Sequence, residues 1–121
     1  MILSKLTKDQ ILAACDLKTQ SVSIPDAGGE ILVRAMSGYD RDQYLELVRD
    51  RSNEGTSYFN AALIVTTAVD DQGNKLFTEG DIPALRQLSS TTLNAIANVA
   101  VEMNAYLFKP PVQQAEQIAN V

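Results

Sequence analysis

Histidine is absent from this chain, and cysteine occurs once, as Cys15. The missing histidine removes the commonest general base, the commonest metal ligand and every His-based triad. A lone cysteine rules out an internal disulfide and fits a reducing compartment. Basic side chains are few: 10 Lys and Arg stand against 15 Asp and Glu, for a net charge of -5. Nucleic acid is therefore not an expected partner, because binding phosphates needs concentrated Lys and Arg. The nearest approach to a basic cluster, Arg49 and Arg51, has Asp50 between its members. Long apolar runs are missing too. The longest, Ala61 to Val65, falls far short of the roughly 20 residues that span a bilayer, so no membrane partner is expected. The N-terminus, MILSKLTKDQ, turns polar too early for a signal peptide, whose apolar stretch runs to about 7–15 residues. The expectation is a protein that stays in the cytosol of the cell that makes it.

What is present begins with alternation. Val22 and Ile24 alternate with Ser21 and Ser23, and Ile31, Val33 and Ala35 alternate with Leu32, Arg34 and Met36. Period-2 patterning on both sides of Pro25-Asp26-Ala27-Gly28-Gly29 predicts a β-hairpin over Thr19–Ala35 with a short polar tip. The helices are marked by their caps. Thr7 with Gln10 forms a capping box ahead of Ile11, Leu12 and Cys15, which predicts a short helix ending near Cys15 or Asp16. Cys15 on that apolar stripe reads as a small core residue. Ser37 caps a second helix, with Asp40 favourably placed near its positive end. Tyr44, Leu47 and Val48 form its apolar stripe, Arg41, Asp42, Arg49 and Asp50 face solvent, and Asn53-Glu54-Gly55 breaks it.

From Tyr58 to Val69 the chain carries no charge. A helix apolar nearly all round is buried on most sides, so Thr56–Val69 is expected to be the central helix, with Phe59, Leu63 and Val65 largely buried. The Ile64-Val65 pair also suits a strand. Asp70 to Asn74 is a turn by composition, and Lys75-Leu76-Phe77 an extended piece. Thr78 or Asp81 caps a short helix over Ile82 to Gln87, with Pro83 early, where its missing N–H costs nothing. Ser89 or Ser90 caps the last helix, on which Leu93, Ile96, Ala97, Ala100, Val101, Asn104 and Leu107 recur at helical spacing. Pro110-Pro111 stops it. With 121 residues, the expected fold is one α+β domain over 1–109, a small antiparallel β-hairpin packed on a mainly helical bundle, and a flexible tail over 110–121.

Catalytic motifs are wanting. Asp70 and Asp71 are the most conspicuous carboxylate pair, but aspartate at a turn serves backbone hydrogen bonds. A calcium loop counted from Asp70 fails, because Gln72 and Lys75 stand where Asp or Asn and Gly are required. Gly28-Gly29 lacks the strand-to-helix setting and third glycine of a dinucleotide site. No catalytic residue, no metal site and no cofactor is expected. Surface aromatics remain as candidates for contacts: Tyr39 beside the charged start of the second helix, and Tyr106 and Phe108 at the end of the last.

The order of these pieces resembles the tail assembly chaperones of long-tailed bacteriophages and their prophages. The resemblance rests on LTKDQILAA leading into SVSIPDAGGEILVRAMSGYDRDQYLELV, then on VDDQGNKLFTEGDIPALRQLSSTTLNAIANVAVEMN after an apolar helix. It covers about Leu3 to Phe108 and depends on the order and spacing of motifs that are individually weak. It implies a non-catalytic, self-associating factor of the host cytoplasm. Such a factor binds and solubilises the tape measure protein, helps recruit tail tube subunits and is absent from the mature virion. The surface aromatics Tyr39, Tyr106 and Phe108 are the candidates for its partner-binding surface. In many relatives a frameshift makes a longer second product, and this chain would correspond to the short one. Two other classes stay open. One is a structural tail-completion or connector subunit retained in the virion. The other is a small enzyme using carboxylates among Asp70, Asp71, Glu79 and Asp81.

Overall fold

The computed structural model describes residues 4–14 and 17–108. Cys15, Pro110-Pro111 and the expected tail over 110–121 lie outside the described residues. The architecture is α+β, as the patterning predicts. In chain order it runs α1 (Lys8–Ala13), β1 (Thr19–Ile24), β2 (Gly29–Arg34), α2 (Gly38–Val48), α3 (Thr56–Thr67), β3 (Ala68–Val69), α4 (Ile82–Leu85) and α5 (Ser90–Met103). The strands β1 and β2 pair antiparallel with Val22 opposite Ile31 and Gln20 opposite Val33. That register puts Val22, Ile24, Ile31 and Val33 on one face, as their alternation requires. A single 3-10 turn, Pro25–Ala27, closes the tip, and Gly28 follows it at φ +74°, a left-handed conformation that glycine adopts without steric cost.

Helix α5 lies across the inner face of the hairpin and α3 packs between α5 and α2. The core is built from Val33, Leu47, Leu63, Ile64, Val65, Leu93, Ile96 and Ala100, with Tyr44 and Tyr58 at its margin. The Tyr58 hydroxyl donates to the Leu47 carbonyl at 2.7 Å. Asn104 ends α5 inside the core, 1% exposed. Its Oδ1 accepts the Met36 N–H at 2.8 Å and its Nδ2 donates to the Ala100 carbonyl at 2.9 Å. It thereby ties the last helix to the link between β2 and α2. Of the expected caps, those at Thr7, Ser37 and Thr78 form capping boxes, and Ser89 rather than Ser90 caps the last helix.

Four expectations are corrected. The central helix ends at Thr67, not Val69. Ala68 and Val69 turn extended and pair antiparallel with Val33 and Leu32 as a third strand. The run Thr66-Thr67-Ala68-Val69 is rich in β-branched residues, which suit a strand. The threonine hydroxyls bond back to the Ala62 and Leu63 carbonyls and ease the helix to its end. Phe59 is only half-buried, because its position on α3 faces the rim, where its ring meets Tyr58 edge-on at 6.0 Å. Helix α2 stops at Val48 rather than at Asn53-Glu54-Gly55, and Asp50 takes φ +57° just beyond it, a conformation short polar residues tolerate. The first helix contributes nothing to the core. It has no buried residue, and Ile11 and Leu12 are 56% and 60% exposed. A smaller difference is that the regular turn of α4 ends at Leu85, not Gln87, after a 3-10 turn over Glu79–Asp81.

Leu63, 3% exposed at the centre of this packing, sets the first prediction. Leu63→Ala should destabilise the domain by about 2–5 kcal/mol, read as a lowered urea midpoint at unchanged slope. Asn104→Ala should cost about 1–3 kcal/mol by leaving the Met36 N–H buried and unpaired.

Candidate functional site

The three aromatic candidates occupy different settings. Tyr39 stands in the first turn of α2, 80% exposed. Tyr106 and Phe108 belong to a 3-10 turn over Ala105–Phe108, which redirects the chain after Asn104. They are 46% and 39% exposed. The Phe108 ring meets Tyr44 of α2 edge-on at 6.0 Å, a geometry favoured by the ring quadrupoles. Phe108 is thus half packing and half surface, and it joins the end of the chain's described part to the helix that begins beside Tyr39. Burial raises the pKa of the Tyr44 phenol, so this contact stays uncharged at neutral pH.

A second apolar surface lies at the tip end of the hairpin. Ile24, Ile31, Leu76, Leu88 and Ile96 line a groove of about 400 Å³. Leu76 and Leu88 are 46% and 40% exposed there. Sequence reading did not assemble this groove. Its residues come from β1, β2, the stretch before α4, the link between α4 and α5, and α5 itself, and only the hairpin register and the crossing of α5 bring them together.

Charge is gathered around one buried carboxylate. Asp40, 4% exposed, is the third residue of α2. Its Oδ2 accepts the Ser37 N–H at 3.1 Å, and the Ser37 Oγ accepts the Asp40 N–H at 3.0 Å, closing a reciprocal cap. Lys75 Nζ lies 2.7 Å from Oδ1 and an Arg34 nitrogen 3.6 Å from Oδ2. Lys75 also donates to the Thr66 carbonyl, and Arg34 to the Gly73 carbonyl at 3.0 Å. Burial alone would raise the Asp40 pKa. The Lys75 hydrogen bond, the Ser37 N–H and the Lys75 charge outweigh it, and the net effect is a lowered value. The Nε of Arg34 is buried without an acceptor, a small cost inside an otherwise paired cluster.

Two of the carboxylates considered for acid–base chemistry, Asp70 and Asp81, hold backbone N–H groups. Asp70 Oδ1 accepts the Gln72 and Asn74 N–H groups at 2.8 and 2.9 Å, and these bonds hold its pKa low. Asp81 caps the Thr78 N–H at 2.8 Å. Among the described residues no three His, Cys, Asp or Glu side chains group to hold a metal ion. A concavity of about 480 Å³ is walled by Glu46, Arg49, Arg51 and Glu79 beside Tyr58. The Arg51 and Arg86 guanidiniums lie 5.3 and 5.8 Å from the Tyr58 ring centre, and Arg86 pairs with Glu54 at 3.4 Å. Those contacts are of a kind that steadies a rim. No described helix is long and apolar enough to cross a membrane.

Asp40 carries a pH prediction. A carboxylate whose folded pKa is depressed contributes stability above its unfolded value, about 3.9. That contribution is lost as pH falls through the lower folded value. Asp40→Asn should therefore lower the melting temperature at pH 7, and the gap from the parent chain should shrink below about pH 4. A gap that stays constant from pH 7 to pH 3 would show that the carboxylate charge contributes nothing. Asp40→Ala should cost about 3 kcal/mol at pH 7, since it also strands Lys75 and Arg34.

No family model matches the chain, and no curated protein matches it. Among solved structures it is similar to the bacteriophage HK97 tail assembly chaperone, at 16% sequence identity and a TM-score of 0.54. The match covers 77% of this chain and 89% of that one. At that identity the likeness is one of fold.

Proposed function

We propose that this protein is a non-catalytic tail assembly chaperone of a long-tailed phage or prophage. It binds the tape measure protein, keeps it soluble, helps recruit tail tube subunits and works as a homo-oligomer in the host cytoplasm without entering the virion. The observation that carries the reading is the fold shared with the HK97 tail assembly chaperone over most of both chains. Two features of the surface support it. The domain exposes apolar side chains at two places, around Tyr106 and Phe108 and at the Leu76–Leu88 groove. Surfaces of this kind suit an amphipathic helical partner, whose apolar stripe needs a complementary face. The net charge of -5 favours solubility of an assembly that carries such a partner.

Co-expression with the tape measure protein of the same phage tests this. The chain should move that partner from the pellet to the soluble fraction and co-purify with it. Replacing Tyr106 and Phe108 together with Ser should return most of the partner to the pellet. Because Phe108 also packs on Tyr44, Tyr39→Ser, at a position 80% exposed, is the control that leaves the packing intact, and it should weaken co-purification without shifting the melting temperature. If the unaltered chain leaves the tape measure protein insoluble, the chaperone reading fails and a structural tail subunit takes its place.

A further inference from the structure

Lys75 and Leu76 are neighbours in sequence with opposite settings. They stand on a stretch that doubles back along β3. The Asp70 N–H donates to the Asn74 carbonyl at 2.9 Å and the Leu76 N–H to the Ala68 carbonyl at 3.1 Å, with Lys75 opposite Val69 in antiparallel register. Gly73 turns the chain at φ +82°. Successive side chains of an extended stretch point to opposite sides. Lys75 goes to one side, where its ammonium lies 2.7 Å from Asp40 Oδ1 and donates to the Thr66 carbonyl in the last turn of α3. Leu76 goes to the other side and lines the groove with Ile24, Ile31, Leu88 and Ile96.

The doubled-back stretch lies at the surface. Asp71, Gln72, Asn74 and Leu76 are exposed, so water competes for its backbone hydrogen bonds. Leu76 forms a lip of the groove and is 46% exposed. Beyond the lip, Phe77 rests on the core and holds the chain there. Ahead of the lip the fastening is polar. Arg34 donates to the Gly73 carbonyl at 3.0 Å, and Lys75, next to Leu76, reaches Asp40. The Asp40 side chain is 5% exposed, and the Ser37 cap fixes it in turn. An ion pair that ends on an enclosed, already fixed carboxylate holds better than one between two mobile surface chains, which water and salt screen. The lip is thus tied to the start of α2, away from the groove's own walls.

We propose that Lys75 is the positioning residue of this groove: its ammonium, held between Asp40 and the Thr66 carbonyl, fixes Leu76 as the lip against which an apolar partner closes. That the partner is the tape measure protein rests on the chaperone reading; the latch does not. Amide exchange and co-expression, both on the full chain, test it. In Lys75→Met the Leu76 amide should quicken about tenfold more than the slowest amides of α5, which report global unfolding. Asp40→Asn should do the same, and the double variant should gain nothing over the stronger single change, because both remove one bond. Lys75→Arg should restore the parent rate. Co-expressed with the tape measure protein of the same phage, Lys75→Met should leave more of it in the pellet, and Lys75→Arg should return it to solution. If Leu76 and the α5 amides quicken by the same factor, Lys75 is a general stabiliser and the proposal is overturned. A Lys75→Met chain that loosens at Leu76 yet solubilises the partner as well as the parent overturns it too. If the parent itself leaves the partner insoluble, the chaperone reading falls, and the Leu76 exchange rate still decides the latch.

Discussion

The carboxylate of Asp40 is the point at which separate parts of the fold are fastened. It closes the N-terminal cap of α2 through Ser37, and it takes Lys75 and Arg34 as counter-ions. Those cations reach onward, Lys75 to the last turn of α3 through Thr66, Arg34 to the turn after β3 through Gly73. One buried charge thus fixes α2, β2, α3 and the turn over Asp70 to Asn74 relative to one another. Such a cluster is tolerated because it is nearly fully paired and its cations keep part of their water, at 29% and 21% side-chain exposure. Removing one member would strand the others, which is why a small set of polar contacts weighs so heavily here.

The same cluster marks the limit of what the sequence reveals. Ser37 and Asp40 are legible as a cap, because capping is local and depends on residues three apart. That Lys75, 35 positions later in the sequence, would neutralise Asp40 is invisible until β3 turns the chain back. The hairpin register could be read from alternation, since a one-residue slip would turn Val22 and Val33 outward. The two-residue strand β3 could not, because Ala68-Val69 continues an apolar run that is helical up to Thr67. Phe59 and the stripe of α1 failed for a different reason. Apolar periodicity shows that a face seeks cover, not which molecule provides it. Tyr106 and Phe108 are 46% and 39% exposed, and Phe108 also rests on Tyr44. The Leu76–Leu88 groove escaped notice because it is assembled from five separate stretches.

For function, the useful contrast is between what is fastened and what is left open. Nearly all the buried polar side-chain atoms described are paired, Arg34 Nε excepted, whereas apolar side chains stand exposed on α1, beside the hairpin tip and after α5. A domain that invests its buried charge in rigidity and leaves apolar surface uncovered is built for contact. The proposed chaperone role gives those surfaces an occupant that is long, helical and apolar along one stripe. Of the carboxylates reviewed as catalytic candidates, Asp70 and Asp81 accept backbone N–H groups.

The distinction between an assembly factor and a tail component is a matter of stoichiometry. The most direct measurement is quantitative mass spectrometry of the phage that encodes this chain, comparing infected-cell lysate with purified virions. The chaperone account predicts abundant protein in the lysate, associated with the tape measure protein before tails form, and none in finished particles. A fixed number of copies per virion would contradict it.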